Sequence, residues 1–429
     1  MAEVAAGAGV ALAAEEVVST TAQAGVAGYM IAKPTLPLKA TYTMIANATD
    51  DSTRRSLARS NHTLTVVGNK AYVFGGNTNH GGIATNDIHA ITLVHSGEPE
   101  VDYHLIPALP AVEGGVLPDP RTKHAACAFR GCVVIYGGCD EHDQLVDSDP
   151  VLWLFDPDRL VWTQLQGKET TPNPGTRRNC KLFAHGSQLI LCGGSGDFGT
   201  TASDIWLFDF DSRVWIALPN VPAPTSNAAL CNSRLYMVSG SDPLSCELHH
   251  ATLHSTTQSI TWETITFPTN PLTPGPRARH SGGFLPITTG YGRNYLIYFL
   301  GARNVSPPSV ILPEDDAHNV SQWSDMWTLQ VISSDLAAKP KLKINKAVKP
   351  AKIKDSIRSA IGADPGTHSW AEVEMKLPGD LNISDGKLHP GPRAFFGCDT
   401  MEDGSSFVLW GGENAKGEQV GDGWIVRFE

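Results

Sequence analysis

Residues 177–218, RRNCKLFAHGSQLILCGGSGDFGTTASDIWLFDFDSRVWIAL, decide the fold. Arg177 and Arg178 open the stretch, and an apolar run follows from Cys180 to Ala184. His185-Gly186 turns the chain into a second run, Gln188 to Cys192, which ends in Gly193-Gly194. After a polar loop come Ser203 to Phe208, a turn at Asp211-Ser212, and Val214 to Leu218. Each run is too short for a helix, alternates on a two-residue period and is bounded by Gly, Asp or Ser. The stretch therefore predicts four strands joined as a meander.

The preceding segment repeats the unit: Arg121, His124, a turn at Arg130-Gly131, Cys132 to Tyr136, Gly137-Gly138, Trp153 to Asp156, then Val161-Trp162. Trp153 and Trp162 stand 53 residues before Trp206 and Trp215. A period near 50 residues, with four strands and a double glycine per unit, resembles the blade of a kelch β-propeller.

Working outward, Arg59 and His62 open blade one, whose strands run Thr63 to Val67, Lys70 to Phe74, Asp87 to Ile91 and Val101 to Ile106. Blade four is degenerate. It reads Pro224 to Cys231, Arg234 to Val238 and Ile260-Thr261-Trp262, with Ser226 or Asn227 at the arginine position and Ser239 in place of the first glycine. Blade five starts at Arg279-His280 and resumes at Ser324 to Trp327, its fourth strand delayed to Trp370–Val373 by an insertion at 335–366. Blade six follows from Arg393 through Gly411-Gly412 to Phe428 and lacks a fourth strand. Ala40 to Ile45 reads as a fourth strand without its first three. The expectation is an all-β, six-bladed kelch β-propeller over 39–429, its last blade closed by the N-terminal strand so that no sheet edge is left open. Residues 1–38, rich in Ala and Gly, are expected to be a partly disordered or short helical extension, and the tryptophans to pack between blades.

With 429 residues, 41% hydrophobic and 18% charged, 41 Gly and 29 Pro, the composition suits a turn-dense β protein. The formal net charge of −11 argues against wholesale nucleic-acid binding. Eight cysteines without a Cys-x-x-Cys pair give no zinc or redox motif. No Lys or Arg precedes Lys33, and Glu3, Glu15 and Glu16 interrupt the apolar N-terminus. That excludes a signal peptide or membrane span there, so the expectation is a cytoplasmic or nuclear protein.

The resemblance implies that the loops leading into each first strand gather at one mouth of the central channel. That would place Arg59, His62, Arg121, His124, Arg177, Arg178, Asn179, Arg279, His280 and Arg393 together as a positive funnel, suited to an acidic peptide or an anionic metabolite. An alternative is that the arginines and histidines recur to bond backbone inside each blade. The function expected is a non-catalytic scaffold that binds a protein partner through one face, with no cofactor. The alternative resembles nitrile-specifier kelch proteins, which direct a small molecule at the channel mouth, because Glu314-Asp315-Asp316-Ala317-His318 groups metal-ligand types, though more tightly than in that family. No Gly-x-Ser-x-Gly, P-loop or dinucleotide fingerprint is present. The 38 residues before the ring are expected to be too few for the BTB or F-box domain of ubiquitin-ligase adaptors.

Between Lys339 and Arg358 the insertion carries Lys339, Lys341, Lys343, Lys346, Lys349, Lys352, Lys354 and Arg358 against Asp355 alone. Ile353, Ile357 and Ile361 recur every four residues between Pro350 and Gly362, which suits a short basic amphipathic helix able to dock on an anionic lipid surface, an acidic protein or nucleic acid; the alternative is a solvated loop whose isoleucines pack on the blade.

Overall fold

The computed structural model describes residues 38–47, 55–79, 81–93, 102–147, 149–169, 171–196, 202–225, 227–240, 245–253, 260–267, 275–289, 293–303, 322–331, 368–376 and 387–428. The extension before Leu38, the acidic loop 314–318 and the basic insertion lie outside them. Among the described residues no helix is long and apolar enough to cross a membrane.

Six antiparallel sheets form a ring. Blade one comprises Thr63–Val67, Lys70–Phe74, Ile88–Thr92 and Tyr103–Ile106. Blade two comprises Ala125–Phe129, Cys132–Tyr136, Val151–Asp156 and Val161–Gln166. Blade three comprises Lys181–His185, Gln188–Cys192, Ile205–Asp209 and Val214–Leu218. Blade four comprises Asn227–Cys231, Arg234–Ser239, Glu247–Thr252 and Glu263–Thr266. Its third strand is absent from the sequence reading, and its fourth lies just after the Ile260-Thr261-Trp262 expected there. Blade five comprises Gly283–Thr288, Asn294–Phe299, Met326–Val331 and Trp370–Glu372. The innermost strands pack in sequence around the axis, and that of blade six, Gly397–Thr400, closes against Thr63–Val67.

Blade six is assembled from both ends of the ring. Ser406–Trp410 pairs with Asp422–Phe428, which in turn pairs antiparallel with Lys39–Asn47, Tyr42 opposite Val426. Glu374–Met375 then adds parallel to Lys39 and Ala40, so the segment leaving blade five covers the outer edge of blade six. Blade three has a similar clasp, where the Lys168 N–H bonds the Arg213 carbonyl. Such covering blunts edges that would otherwise pair with other chains.

Every blade is packed on both faces, so its second strand reads as a continuous apolar run rather than an alternating one. Asn294–Phe299 and Ser406–Trp410 are buried along their whole length, whereas Glu263–Thr266 on the outside of blade four is mostly exposed. The core divides into six hydrophobic clusters, one between each pair of neighbouring blades. Trp162 sits 5.2 Å from Phe74 of blade one, and Trp215 lies 5.7 Å from Tyr136 of blade two. The tryptophans therefore join blades, as the sequence suggests.

Candidate functional site

The repeated arginine stands just before each first strand, and the chain leaving the double glycine runs antiparallel beside it, Arg59 opposite Thr78 and Arg393 opposite Asn414. This brings the guanidinium under the glycine carbonyls. Nη1 donates to the carbonyl oxygen of Gly75, Gly137, Gly193, Leu300 or Gly411, at 2.9 to 3.1 Å. In four blades the fork also grips an aspartate that precedes or opens the third strand: Arg121 with Asp147, Arg177 with Asp204, Arg279 with Asp325 and Arg393 with Asp422, at 2.6 to 2.8 Å. The third-strand tryptophan donates its indole N–H to the same carboxylate, as from Trp206 to Asp204 and Trp424 to Asp422, both 2.8 Å.

Four of the five accepting positions carry glycine, and blade five carries Leu300 with φ of +52°. At Gly137 φ is +66°, and a Cβ there would stand 2.1 Å from the Arg177 carbonyl oxygen. Asp422 is held down to about 2 by Arg393 and Trp424 although burial pushes it up.

The structure thus corrects the expected cationic funnel. Arg59, Arg121, Arg177, Arg279 and Arg393 do gather at one end of the ring, but they are 0 to 6% exposed and bound inside their own blades. The reason is geometric. The carboxylate partners of the last four sit 26 to 46 residues downstream, beyond loops of variable length.

Blades one and four depart from the pattern. Arg59 donates to Nε2 of His89 at 2.8 Å; that nitrogen must accept, so Nδ1 carries the proton and donates to the Tyr103 hydroxyl at 2.9 Å. Burial and the Arg59 charge push His89 down to about 2. Blade four has no arginine at the repeated position. Asn227 bonds the Arg279 carbonyl, and His249 bridges Ser239 and Thr264.

His62 and His124 are also structural in placement. His62 Nε2 accepts the Gly397 N–H at 3.2 Å, and His124 Nε2 lies 2.8 Å from the Thr63 hydroxyl, each across a blade boundary. Burial lowers both, His62 to about 3, so both are neutral at pH 7. His280 is half-buried, lowered by burial and 3.2 Å from the Ser281 hydroxyl.

What faces the channel is the residue two places beyond each arginine. Asn61, Lys123, Asn179, Ser281 and Phe395 all adopt left-handed φ of +53° to +59°. Their backbones link neighbouring blades: Asn61 N–H to Phe395, Lys123 to Asn61, Asn179 to Lys123, and Phe395 to Ser281. These residues form a hoop, whose position in blade four, 226, lies outside the described residues. Beneath it lies a cavity of about 810 Å³, lined among others by Asn61, Lys123, Asn179, Lys181, Ser239 and Ser281. Arg178 and Lys123 share Asp143, at 3.1 and 2.8 Å, so two of the mouth's cations are paired to one carboxylate. The Lys181 ammonium has no hydrogen bond or ion pair among the described residues, and the residue lines both the cavity mouth and the channel below.

That channel, about 430 Å³, carries Cys127, Cys180, Cys398 and Asp399. Burial pushes the thiols up, Cys180 and Cys398 to about 12, and raises Asp399 to about 6. Both Asp399 oxygens accept backbone N–H groups, from Val66 of blade one and from Thr400. Among the described residues no group of three or more His, Cys, Asp and Glu is placed to hold a metal ion.

Sequence reasoning missed Lys123, Lys181 and Asp399. Lys181 had a signal: four places beyond the arginine the other copies carry Thr63, Ala125, Gly283 and Gly397, and only blade three carries a charge.

Residues 41–228 match a family profile described as the KLHDC2/KLHL20/DRC7 Kelch-repeats domain. Kelch domain-containing protein 3 of Rattus norvegicus is 29% identical over 138 residues, 32% of this chain and 34% of that protein. Acyl-CoA-binding domain-containing protein 4 of Arabidopsis thaliana is 25% identical over 244 residues, 55% of this chain and 34% of its own. The match therefore spans about a third of the length of each relative. The solved structure of YjhT superposes with a TM-score of 0.51 at 14% identity, covering 86% of this chain and 97% of that one, a likeness of fold.

Proposed function

The chain is a kelch-repeat β-propeller, and on that premise we propose that it is a non-catalytic scaffold holding a protein partner against the face that carries the repeated arginines. The observation that carries this reading is the cavity of about 810 Å³ at the channel mouth, walled by loop backbone and by the unpaired ammonium of Lys181. Rigid strands position these loops, and loops so held are where propellers vary. The ionisable groups below them favour binding over catalysis. The thiols are raised, the histidines lowered, and both Asp399 oxygens are engaged by backbone, so none is a free nucleophile at pH 7. Eight free cysteines support a reducing compartment, cytoplasm or nucleus.

The test uses Lys181→Glu and Asn179→Ala rather than the buried arginines, whose loss would unseat a blade. Proteins captured from native extract by wild type are purified and titrated against both variants. A partner on this face loses at least tenfold in affinity with Lys181→Glu while the melting temperature holds. Partners bound equally by wild type and both variants would remove the mouth from consideration.

A further inference from the structure

Blade five departs from its siblings at three neighbouring rim positions together. Two places before the repeated arginine the other copies carry Leu57, Asp119, Gly175 and Gly391, but blade five carries Arg277. Opposite the arginine stand Thr78 and Asn414, with Asp140 and Gly196 one place beyond the corresponding bridges, but blade five places Arg303 there. The N–H that closes onto the second glycine's carbonyl belongs to Ala84, Val146, Ala202 and Val420 elsewhere, and to Trp323 in blade five. The four siblings fold without these side chains, so the sheet does not require them.

The three side chains meet. The Arg303 guanidinium lies 4.2 Å from the centre of the Trp323 ring, and those of Arg279 and Arg277 lie at 5.3 and 5.5 Å. Three cations around one indole repel each other unless anions intervene. The Asp325 carboxylate is fully engaged by Arg279 and the Trp327 indole, and neither Arg277 nor Arg303 has a carboxylate partner among the described residues. The Arg303 Nε–H and the Trp323 indole N–H are buried with no acceptor among them. Gln322, 3% exposed and next to Trp323, has an amide oxygen without a donor; a half-turn of that amide would offer a third N–H. Buried donors without acceptors cost on the order of 1–3 kcal/mol each, and an oxyanion is the acceptor a surplus of positive charge selects.

We infer that Arg277, Arg303 and Trp323 form an oxyanion-binding subsite on the rim of blade five, which takes a carboxylate or phosphate side chain of an extended peptide. It adjoins Ala278 to Ser281, which wall the mouth cavity, so it rests on the reading of this face as the binding face. The indole provides a flat shelf and the two guanidiniums close over the anion, a charge-assisted arrangement that weakens with salt.

The siblings supply the test variants. Arg277→Gly with Arg303→Asn gives blade five the residues of blade six, and Trp323→Val does the same for the shelf. Three fluorescein-labelled peptides, blocked at both ends and alike except for a central phosphoserine, a Glu-Asp pair or a neutral serine, are titrated by anisotropy against the full-length protein. The same series is run with Glu314→Gln, Asp315→Asn and Asp316→Asn, which removes an acidic tripeptide of the chain as a competitor. The wild type should bind at least one charged peptide tenfold or more above the neutral one, the tighter arm identifying the anion. The double variant should lose that margin, Trp323→Val should lose part of it, and both should melt with the parent. Equal binding of charged and neutral peptides, or a double variant that binds as the wild type does, overturns the subsite. Loss of a captured partner with Lys181→Glu but not with the double variant would sink this subsite and leave the scaffold standing.

Discussion

Blade six and blade four build the same sheet with opposite polar interiors. In blade six Arg393 is fully buried, grips Asp422 with both Nη atoms, and shares that carboxylate with the Trp424 indole. Blade four puts Asn227, Ser239, His249 and Thr264 in the corresponding space and holds no buried charge pair there. Yet each has its own apolar seam with its neighbours. The apolar pattern therefore makes the sheet, and two different polar interiors, a buried ion pair and a neutral hydrogen-bonded set, fit inside it.

The comparison breaks hardest where blade six borrows its fourth strand. Deleting residues 1–46 strips Asp422–Phe428 of its partner and should unfold the ring cooperatively, whereas deleting residues 1–28 should shift the melting temperature little. An unchanged melting temperature after the longer deletion would refute closure by this strand.

Next in size, Asp422→Ala leaves Arg393 buried without its counter-charge and should cost about 3–5 kcal/mol by denaturant melts. The pH sign follows from the depressed carboxyl. Asp422 titrates at about 2 when folded and near 4 when unfolded, so its contribution is complete above pH 4 and is lost as pH falls toward 2. The variant should lack that acid limb.

Asp399→Asn acts in the opposite direction. The folded carboxyl, at about 6, lies above its unfolded value, so folding is favoured by its protonation and stability falls as pH rises from 4 to 6. The variant should be more stable than wild type at pH 7.5 by roughly 1–3 kcal/mol and flat across that window. A destabilised Asn variant would mean that the bond to the Val66 N–H outweighs burial of the charge.

The smallest effect belongs to blade four. Ser239→Ala removes one partner of His249 and should cost about 1 kcal/mol. A loss as large as that of Asp422→Ala would erase the distinction between the two blades.

The architecture was legible because it lives in short-range pattern: runs of alternating residues, glycine pairs, and tryptophans 53 residues apart. Closure was legible too, since a spare strand at Tyr42 and a missing one after Phe428 point to each other. The third strand of blade four was hidden because it carries Glu247 and His249 where blades three, five and six carry aspartate and tryptophan. The site was legible only in position. Arg177 and Asp204 are 27 residues apart and Arg279 and Asp325 are 46 apart, so no fixed spacing announces that each cation already has its anion. The rim of blade five becomes visible only when the copies are laid against one another in register.

The strand Lys39–Asn47 meets its partner across nearly the whole chain, as the Thr41 hydroxyl bonds the Arg427 carbonyl 386 residues away. On a ribosome adding about 5–20 residues per second, that strand waits some tens of seconds before its partner exists. Five blades can assemble meanwhile, but the earliest-made strand among the described residues is the last one placed, and until then its buried side chains Ala40 and Ile45 face whatever else is nearby. Chaperone dependence and aggregation during synthesis should therefore track the time to complete the final blade rather than the stability of the finished ring.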